Sequence, residues 1–149
     1  MTQNVNLAIV VSQFNSEVTQ KMLEQALKRS NELGATVTHI CKVPGAFDMP
    51  IIIQDLLEKE NVDAVATLGA ILQGETAHDQ IIAATLSNQI STLSTRLRKP
   101  VTLGVSGPRE NLHQAQSRAE EYANRSVEAA VKLVKLCKDV AKQNDHTRQ

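Results

Sequence analysis

The stretch VNLAIVV, residues Val5 to Val11, is apolar at every position except Asn6. A strand with one wet face alternates apolar and polar residues. A nearly unbroken apolar run is what a strand covered on both faces requires, and parallel sheets bury their strands in that way. Three more runs rich in β-branched residues follow, at Thr36–Val43 (TVTHICKV), Val62–Leu68 (VDAVATL) and Val101–Val105 (VTLGV). Between them apolar residues return every three or four positions, the period of a helix face. Val18, Met22, Ala26 and Leu33 mark the first helix, ended near Gly34. Pro50 suits the first turn of a second, running to about Lys59. Ile82, Leu86, Ile90, Leu93 and Leu97 mark a third, and Ala123, Val127, Ala130, Val134 and Cys137 a fourth.

The order is therefore β-α-β-α-β-α-β-α. Right-handed crossovers turn that order into an α/β fold, a parallel sheet with helices on both faces. No internal repeat and no linker interrupts it, so residues 1–149 read as one domain, with the all-polar segment 143–149 as a disordered tail.

Composition narrows the function classes. The chain has 149 residues, enough for one domain with a sizeable core. Sixteen basic and sixteen acidic residues balance, which argues against non-specific nucleic-acid binding. No apolar run approaches the ~20 residues of a membrane span, and the N-terminus has no signal-peptide pattern. Cys41 and Cys137 lie far apart without CxxC spacing or a neighbouring His cluster. That pattern suits neither a disulfide framework nor a zinc site, and a reducing cytoplasm is the expected location. Aromatic residues number only three: Phe14, Phe47 and Tyr122. Both Phe residues fall in loop-like segments, SQFN and PGAFD, where a ring either caps the edge of the core or serves as a ligand platform.

In a parallel α/β sheet ligands bind beyond the carboxyl ends of the strands. The unusual segments all fall there: SQFN after the first strand, PGAFD after the second, GAILQGETAH after the third and SGPREN after the fourth. In the third, Gly69 and Gly74 relieve the backbone and Thr76 places a hydroxyl just before a helix. Such a helix start binds phosphate through free N–H groups and its dipole, although Thr76 taken alone reads more readily as a plain N-cap. Neither a Walker pattern nor GxGxxG occurs. His78 offers a proton donor or acceptor near neutral pH, or is a surface residue without a role, and no second His four residues on makes it a metal ligand. Asp48, just before Pro50, is either a helix-start anion or a site carboxylate. The residues by themselves reach a small anionic ligand, with catalysis left open.

Five segments in order carry a resemblance: VVSQFN, VPGAFDMP, TLGAILQGETAHD, PVTLGVSG and QAQSRAEEYANRSVEAA. From about Leu7 to Val134 the chain resembles the 6,7-dimethyl-8-ribityllumazine synthase family of riboflavin biosynthesis, in its archaeal-type branch. The resemblance implies a flavodoxin-like three-layer αβα sandwich with a four-stranded parallel sheet. It also implies a condensation of 5-amino-6-(D-ribitylamino)uracil with 3,4-dihydroxy-2-butanone 4-phosphate, releasing phosphate and water, with no cofactor and no metal. By position, Phe14 stacks on the pyrimidine, and Gly45, Ala46, Phe47 and Asp48 line the ribityl chain. Ala70, Ile71 and Leu72 read the pyrimidine edge, and Leu103 stands where many relatives have an aromatic residue. Gly74, Glu75 and Thr76 match the phosphate loop, His78 the general acid/base and Arg118 the phosphate-binding arginine. Arg125 falls where a lysine commonly lines the site.

Further expectations follow from the same likeness. The site lies between two subunits of a homopentamer, the arginine coming from the neighbour, and twelve pentamers form a 60-subunit shell in many members. Only four residues precede the first strand here, which leaves little N-terminal arm for a neighbour's sheet edge. Gln13 and Gln73 replace arginines of many relatives, Glu75 adds a negative charge, and Asp48 is one methylene shorter than the usual Glu. Two rivals share the fold. An archaeal-type riboflavin synthase paralogue has no phosphate substrate and so no use for the GETAH loop with Arg118. A non-catalytic flavin or lumazine carrier would keep Phe14 and Asp48 without needing His78.

Overall fold

Five strands, each parallel to its neighbours, form the centre of the computed structural model, which describes residues 4–143. β1 (Asn6–Ser12) lies between β2 (Thr36–Val43) and β3 (Ala64–Ala70), and β4 (Val101–Thr102) and β5 (Val105–Ser106) both pair with β3. The strand order is β2-β1-β3-β4, with β5 continuing along β3.

The unbroken apolar character of β1 is explained by its two faces. Leu7, Ile9 and Val11 enter a core shared with Val18 and Met22 of α1 (Ser16–Glu32) and with Ala119, Ala123 and Val127 of α4 (Leu112–Lys142). Ala8 and Val10 enter a second core with Ile53 of α2 (Met49–Leu57) and Leu86 and Ile90 of α3 (His78–Leu97). The result is the expected three-layer arrangement. Alanines along α4 let α1 approach closely, since interaxial distance follows side-chain size at the contact. Polar ties at the rim of that contact join Arg29 Nε to Glu128 Oε2 at 2.7 Å and Gln25 to Asn124 at 2.9 Å. The hydrogen bond that Arg29 donates to the Glu128 carboxylate also holds the guanidinium pKa above its ordinary value.

β2 spans the residues read as the second strand. β1 and β3 each start one or two residues later than their apolar runs and end later, at Ser12 and Ala70. Pro50 stands in the first turn of α2, and α1 stops at Glu32, just before Gly34 at φ +74°. α4 continues past Cys137 to Lys142, and residues 144–149 of the expected tail lie outside the described residues.

The fourth strand position is the one that departs from its pattern. Instead of one run over Val101–Val105, the chain breaks at Leu103–Gly104 into β4 and β5. A buried hydroxyl network causes the break. Thr67 Oγ1 donates to the Thr102 carbonyl at 2.6 Å and accepts the Gly104 N–H at 3.1 Å, while Ser126 Oγ donates to the Thr67 carbonyl at 3.0 Å. Buried polar groups must find partners, so the backbone bends to supply them. Gly104 comes so close that a Cβ there would lie 2.2 Å from the Thr67 carbonyl oxygen. The bend turns Leu103 outward, leaving it exposed on the sheet's β4 side.

Candidate active site

The loops after β1, β2 and β3 are laced together at one edge of the sheet. Gln13 and Phe14 donate their N–H groups to the Val43 and Pro44 carbonyls at 2.8 and 3.1 Å. Asn15 takes the left-handed conformation, φ 61°, which Asn tolerates better than most residues. It turns the chain into α1, and its Nδ2 donates to the Ala70 carbonyl at 3.0 Å. Loop one is thereby fixed to both loop two and loop three.

This lacing sets the aromatic rings. Phe14 is 70% exposed and Phe47 61%, so neither ring covers much of the core. The Phe14 ring rests on Gly45, where a Cβ would stand 3.0 Å from its Cδ2. Asp48 closes the short 3-10 turn Ala46–Asp48, its Oδ2 accepting the Gly45 N–H at 3.0 Å. The carboxylate is exposed, so it is a turn anion and also an accessible acceptor.

Between these loops and α3 lies a cavity of ≈ 500 Å³. Phe14, Gly45, Ala46, Phe47 and Asp48 form one side of it, Ala70, Ile71 and Leu72 the floor, and His78 part of the other side. Every residue assigned to the pyrimidine and ribityl groups, apart from Leu103, is therefore gathered in one place with His78. The volume lies within the range of small-molecule sites, which combine apolar walls with a few polar groups.

Gly74, Glu75 and Thr76 lie just upstream of α3, separated from His78 by Ala77, and all are exposed. Ala77, not Thr76, precedes the first helical residue of α3, and no side chain caps that end in the usual way. Thr76 Oγ1 instead accepts the His78 N–H at 3.3 Å, a long contact. Among the described residues, the N–H groups of Gly74, Glu75, Thr76 and Ala77 have no hydrogen-bond acceptor. Free N–H groups at a helix start, with its dipole behind them, favour an anion. Glu75 is exposed with no partner among the described residues, so its side chain is free to turn away from that anion.

Three assigned residues stand elsewhere in the same chain. Leu103 and Arg125 line a separate cavity of ≈ 520 Å³ beside β4 and α4, with Tyr122 and Leu133. Arg125 is exposed there, 6.0 Å from the Tyr122 ring centroid and paired with Glu121 at 3.4 Å. Arg118, on the second turn of α4, contacts Glu110 through Nη1 at 3.3 Å. Sheet order and layering account for the separation: β1, β2 and β3 end at the first cavity, whereas β4 lies beyond β3 and α4 packs with α1 on the face opposite α3.

Sequence reading missed Asn15, Ile81 and Ile82, which also line the first cavity. Asn15 was recoverable in part, because an Asn between a strand and a helix is a common left-handed turn residue. In sequence Ile82 signals only the start of a helix stripe. Among the described residues, no group of three or more His, Cys, Asp or Glu is placed to hold a metal ion, and no helix is long and apolar enough to cross a membrane.

Comparison with known proteins identifies the family. The family model described as 6,7-dimethyl-8-ribityllumazine synthase matches residues 4–138. A 6,7-dimethyl-8-ribityllumazine synthase of Pyrobaculum arsenaticum is 52% identical over 131 residues, covering 88% of this chain and 87% of the relative. One from Saccharolobus islandicus is 49% identical over 138 residues, covering 93% and 90%. Another, from Pyrobaculum aerophilum, is 48% identical over 145 residues, covering 96% and 97%.

Proposed function

Given that the chain belongs to the 6,7-dimethyl-8-ribityllumazine synthase family, we propose a division of labour among its residues in that reaction. The activity is a transferase step of riboflavin biosynthesis acting on small-molecule substrates. Its substrates are 5-amino-6-(D-ribitylamino)uracil and 3,4-dihydroxy-2-butanone 4-phosphate.

The pyrimidine stacks on Phe14, with the backbone at Ala70, Ile71 and Leu72 along its edge. The ribityl hydroxyls donate to Asp48 between Gly45, Ala46 and Phe47. The phosphate sits on the free N–H groups of Gly74, Glu75 and Thr76, with Arg118 as its cation. The attacking amine belongs to the substrate, so the protein's task is to hold amine and ketone together and move protons. Holding two reactants in register lowers a barrier by roughly 7–11 kcal/mol in favourable cases. His78 serves as acid and base through imine formation, phosphate elimination and ring closure, a role worth about 10²–10⁴-fold. Anchored phosphate leaves as an anion against the helix dipole and the guanidinium.

The observation that supports this reading is the gathering of Phe14, Asp48, Ala70 and His78 around one cavity. Arg118, Arg125 and Leu103 lie away from it, which favours a site completed by a neighbouring copy that presents those three residues. A homopentamer working in the cytoplasm, alone or as part of a 60-subunit shell, is the assembly we assign. The test mixes purified protein with both substrates and follows the lumazine's absorbance and green fluorescence above the uncatalysed condensation. Acceleration that falls sharply in both His78→Ala and Arg118→Ala is expected. Acceleration left unchanged in both would overturn the assignment of the site.

A further inference from the structure

Glu110 is fully buried, at 0% exposure, in a segment whose sequence, SGPREN, reads as a surface loop. A buried carboxylate is costly unless its charge and lone pairs are matched. Here the matching is partial. Oε2 accepts the Ser106 hydroxyl at 2.6 Å, and Oε1 accepts a single Arg118 Nη1 contact at 3.3 Å. The guanidinium side chain itself is 44% exposed. A single long contact to a half-exposed arginine contributes little stability. Stability alone therefore gives no reason for a charge at this position.

Orientation does give one. Arginine carries five N–H donors in a rigid plane, and the Glu110 contact engages Nη1 only, so the remaining donors are left for another anion. Glu110 is itself immobilised at both ends. Ser106 lies in β5, and the Glu110 carbonyl accepts the Gln73 N–H at 2.8 Å, the residue directly before the Gly74–Thr76 loop. The other end of that loop meets the same turn, since Asp79 Oδ2 accepts the Arg109 N–H at 2.9 Å. Residues 109–110 thus clamp both ends of the phosphate loop, and Glu110 extends from that clamp to Arg118.

We propose that Glu110 is a positioning residue for phosphate recognition, fixing the Arg118 guanidinium to the frame that holds the Gly74–Thr76 loop. The proposal rests on Arg118 being a phosphate-binding residue. With Arg118 serving the neighbouring copy's site, the shared clamp makes one chain's loop and its arginine move as one body.

The test measures KM for each substrate, and kcat, in Glu110→Gln, Arg118→Ala and the double variant. Glutamine keeps the shape and can still accept from Ser106, but its amide turns a donor or a neutral oxygen toward Arg118. The expected result is a rise of roughly tenfold in KM for the butanone phosphate in Glu110→Gln, with KM for the pyrimidine unchanged. In the Arg118→Ala background Glu110→Gln should have no further effect on that KM. A loss of folded protein alone would lower kcat and leave both KM values in place, so an effect confined to kcat overturns the proposal. The same factor in both backgrounds overturns it too, because Glu110 would then act independently of Arg118. If Arg118→Ala leaves the phosphate-substrate KM unchanged, the assignment of Arg118 itself fails. If Arg118→Ala raises it while Glu110→Gln does not, only the positioning role fails. Should Glu110→Gln not fold, Ser106→Ala frees one carboxylate oxygen and is expected to raise the same KM by a smaller factor. No rise there counts against the proposal.

Discussion

The Phe14 ring lies against Gly45 with no room for a side chain between them, a Cβ at Gly45 reaching 3.0 Å from Phe14 Cδ2. The Gly45 backbone is extended (φ −141°, ψ 171°), which any residue adopts, so an alanine there meets no backbone strain. The ring is largely exposed and can swing away at little cost to the fold. Gly45→Ala is therefore expected to change stability by less than about 1 kcal/mol. The displaced ring should raise KM for the pyrimidine substrate several-fold. Thermal unfolding and steady-state kinetics on the same preparation check the two halves separately. A large loss of stability with unchanged KM would place the role of Gly45 in folding.

Asp48 does two jobs with one carboxylate, and two substitutions separate them. Asp48→Asn retains an oxygen to accept the Gly45 N–H now held at 3.0 Å, and removes the charge facing the cavity. Asp48→Ala removes both. Losing a cap of this kind typically costs about 1 kcal/mol, so Ala should lower the unfolding midpoint and Asn should leave it nearly unchanged. Both are expected to raise KM for the pyrimidine substrate, because ribityl hydroxyls bond more strongly to a carboxylate than to an amide. Equal midpoints for the two variants would show that the turn does not depend on the cap.

The layers of the fold were legible wherever one segment carries its own pattern. The apolar run at Val5–Val11 announces a strand buried on both faces, and the spacing of Leu86, Ile90 and Leu93 announces α3. Phe14, Asp48 and His78 were legible as loop residues beyond strand ends, which is where a parallel sheet places its site. What was hidden depends on partners far along the chain. Gly104 breaks the fourth strand because of Thr67, 37 residues earlier. Asn15 holds Ala70 across 55 residues. Glu110 reads as a solvated loop charge until Ser106 and Arg118 are seen around it. Local pattern specifies layers, whereas hydrogen bonds between loops specify the site's rim.

Gly104→Ala should be among the most damaging small substitutions in the chain. The added methyl would stand 2.2 Å from the Thr67 carbonyl oxygen and 2.6 Å from Ser126 Cβ, both in the buried network. Neither neighbour is the free end of a flexible side chain, so β3 and α4 must separate. Overpacking of a rigid core costs typically 1–3 kcal/mol, and a lost buried hydrogen bond adds about 1–3 more. Denaturant unfolding should show a lowered midpoint. Because Leu103 and Arg125 flank the same network, rearrangement there should also change the cavity beside β4. A variant as stable as the parent would show that the network yields more easily than its burial implies.

Arg118 and His78 provide the sharpest test of a shared site, because they lie in one chain but are proposed to meet across two. In a His78→Ala homo-oligomer every site lacks the acid/base, and in an Arg118→Ala homo-oligomer every site lacks the phosphate cation. Co-assembly of the two variants creates sites in which an intact His78 from one copy faces an intact Arg118 from the next. With equal amounts and random placement around a closed ring, about a quarter of all sites are complete. Activity should therefore recover to about a quarter of the parent's when the chains are co-expressed, and stay low when separately assembled oligomers are mixed without exchange. If both residues instead served the same chain's site, no arrangement of the two variants would contain a complete site. Co-expression would then give only the average of the two parents. Measuring kcat of the co-expressed, separately tagged and doubly purified oligomer distinguishes the two outcomes directly.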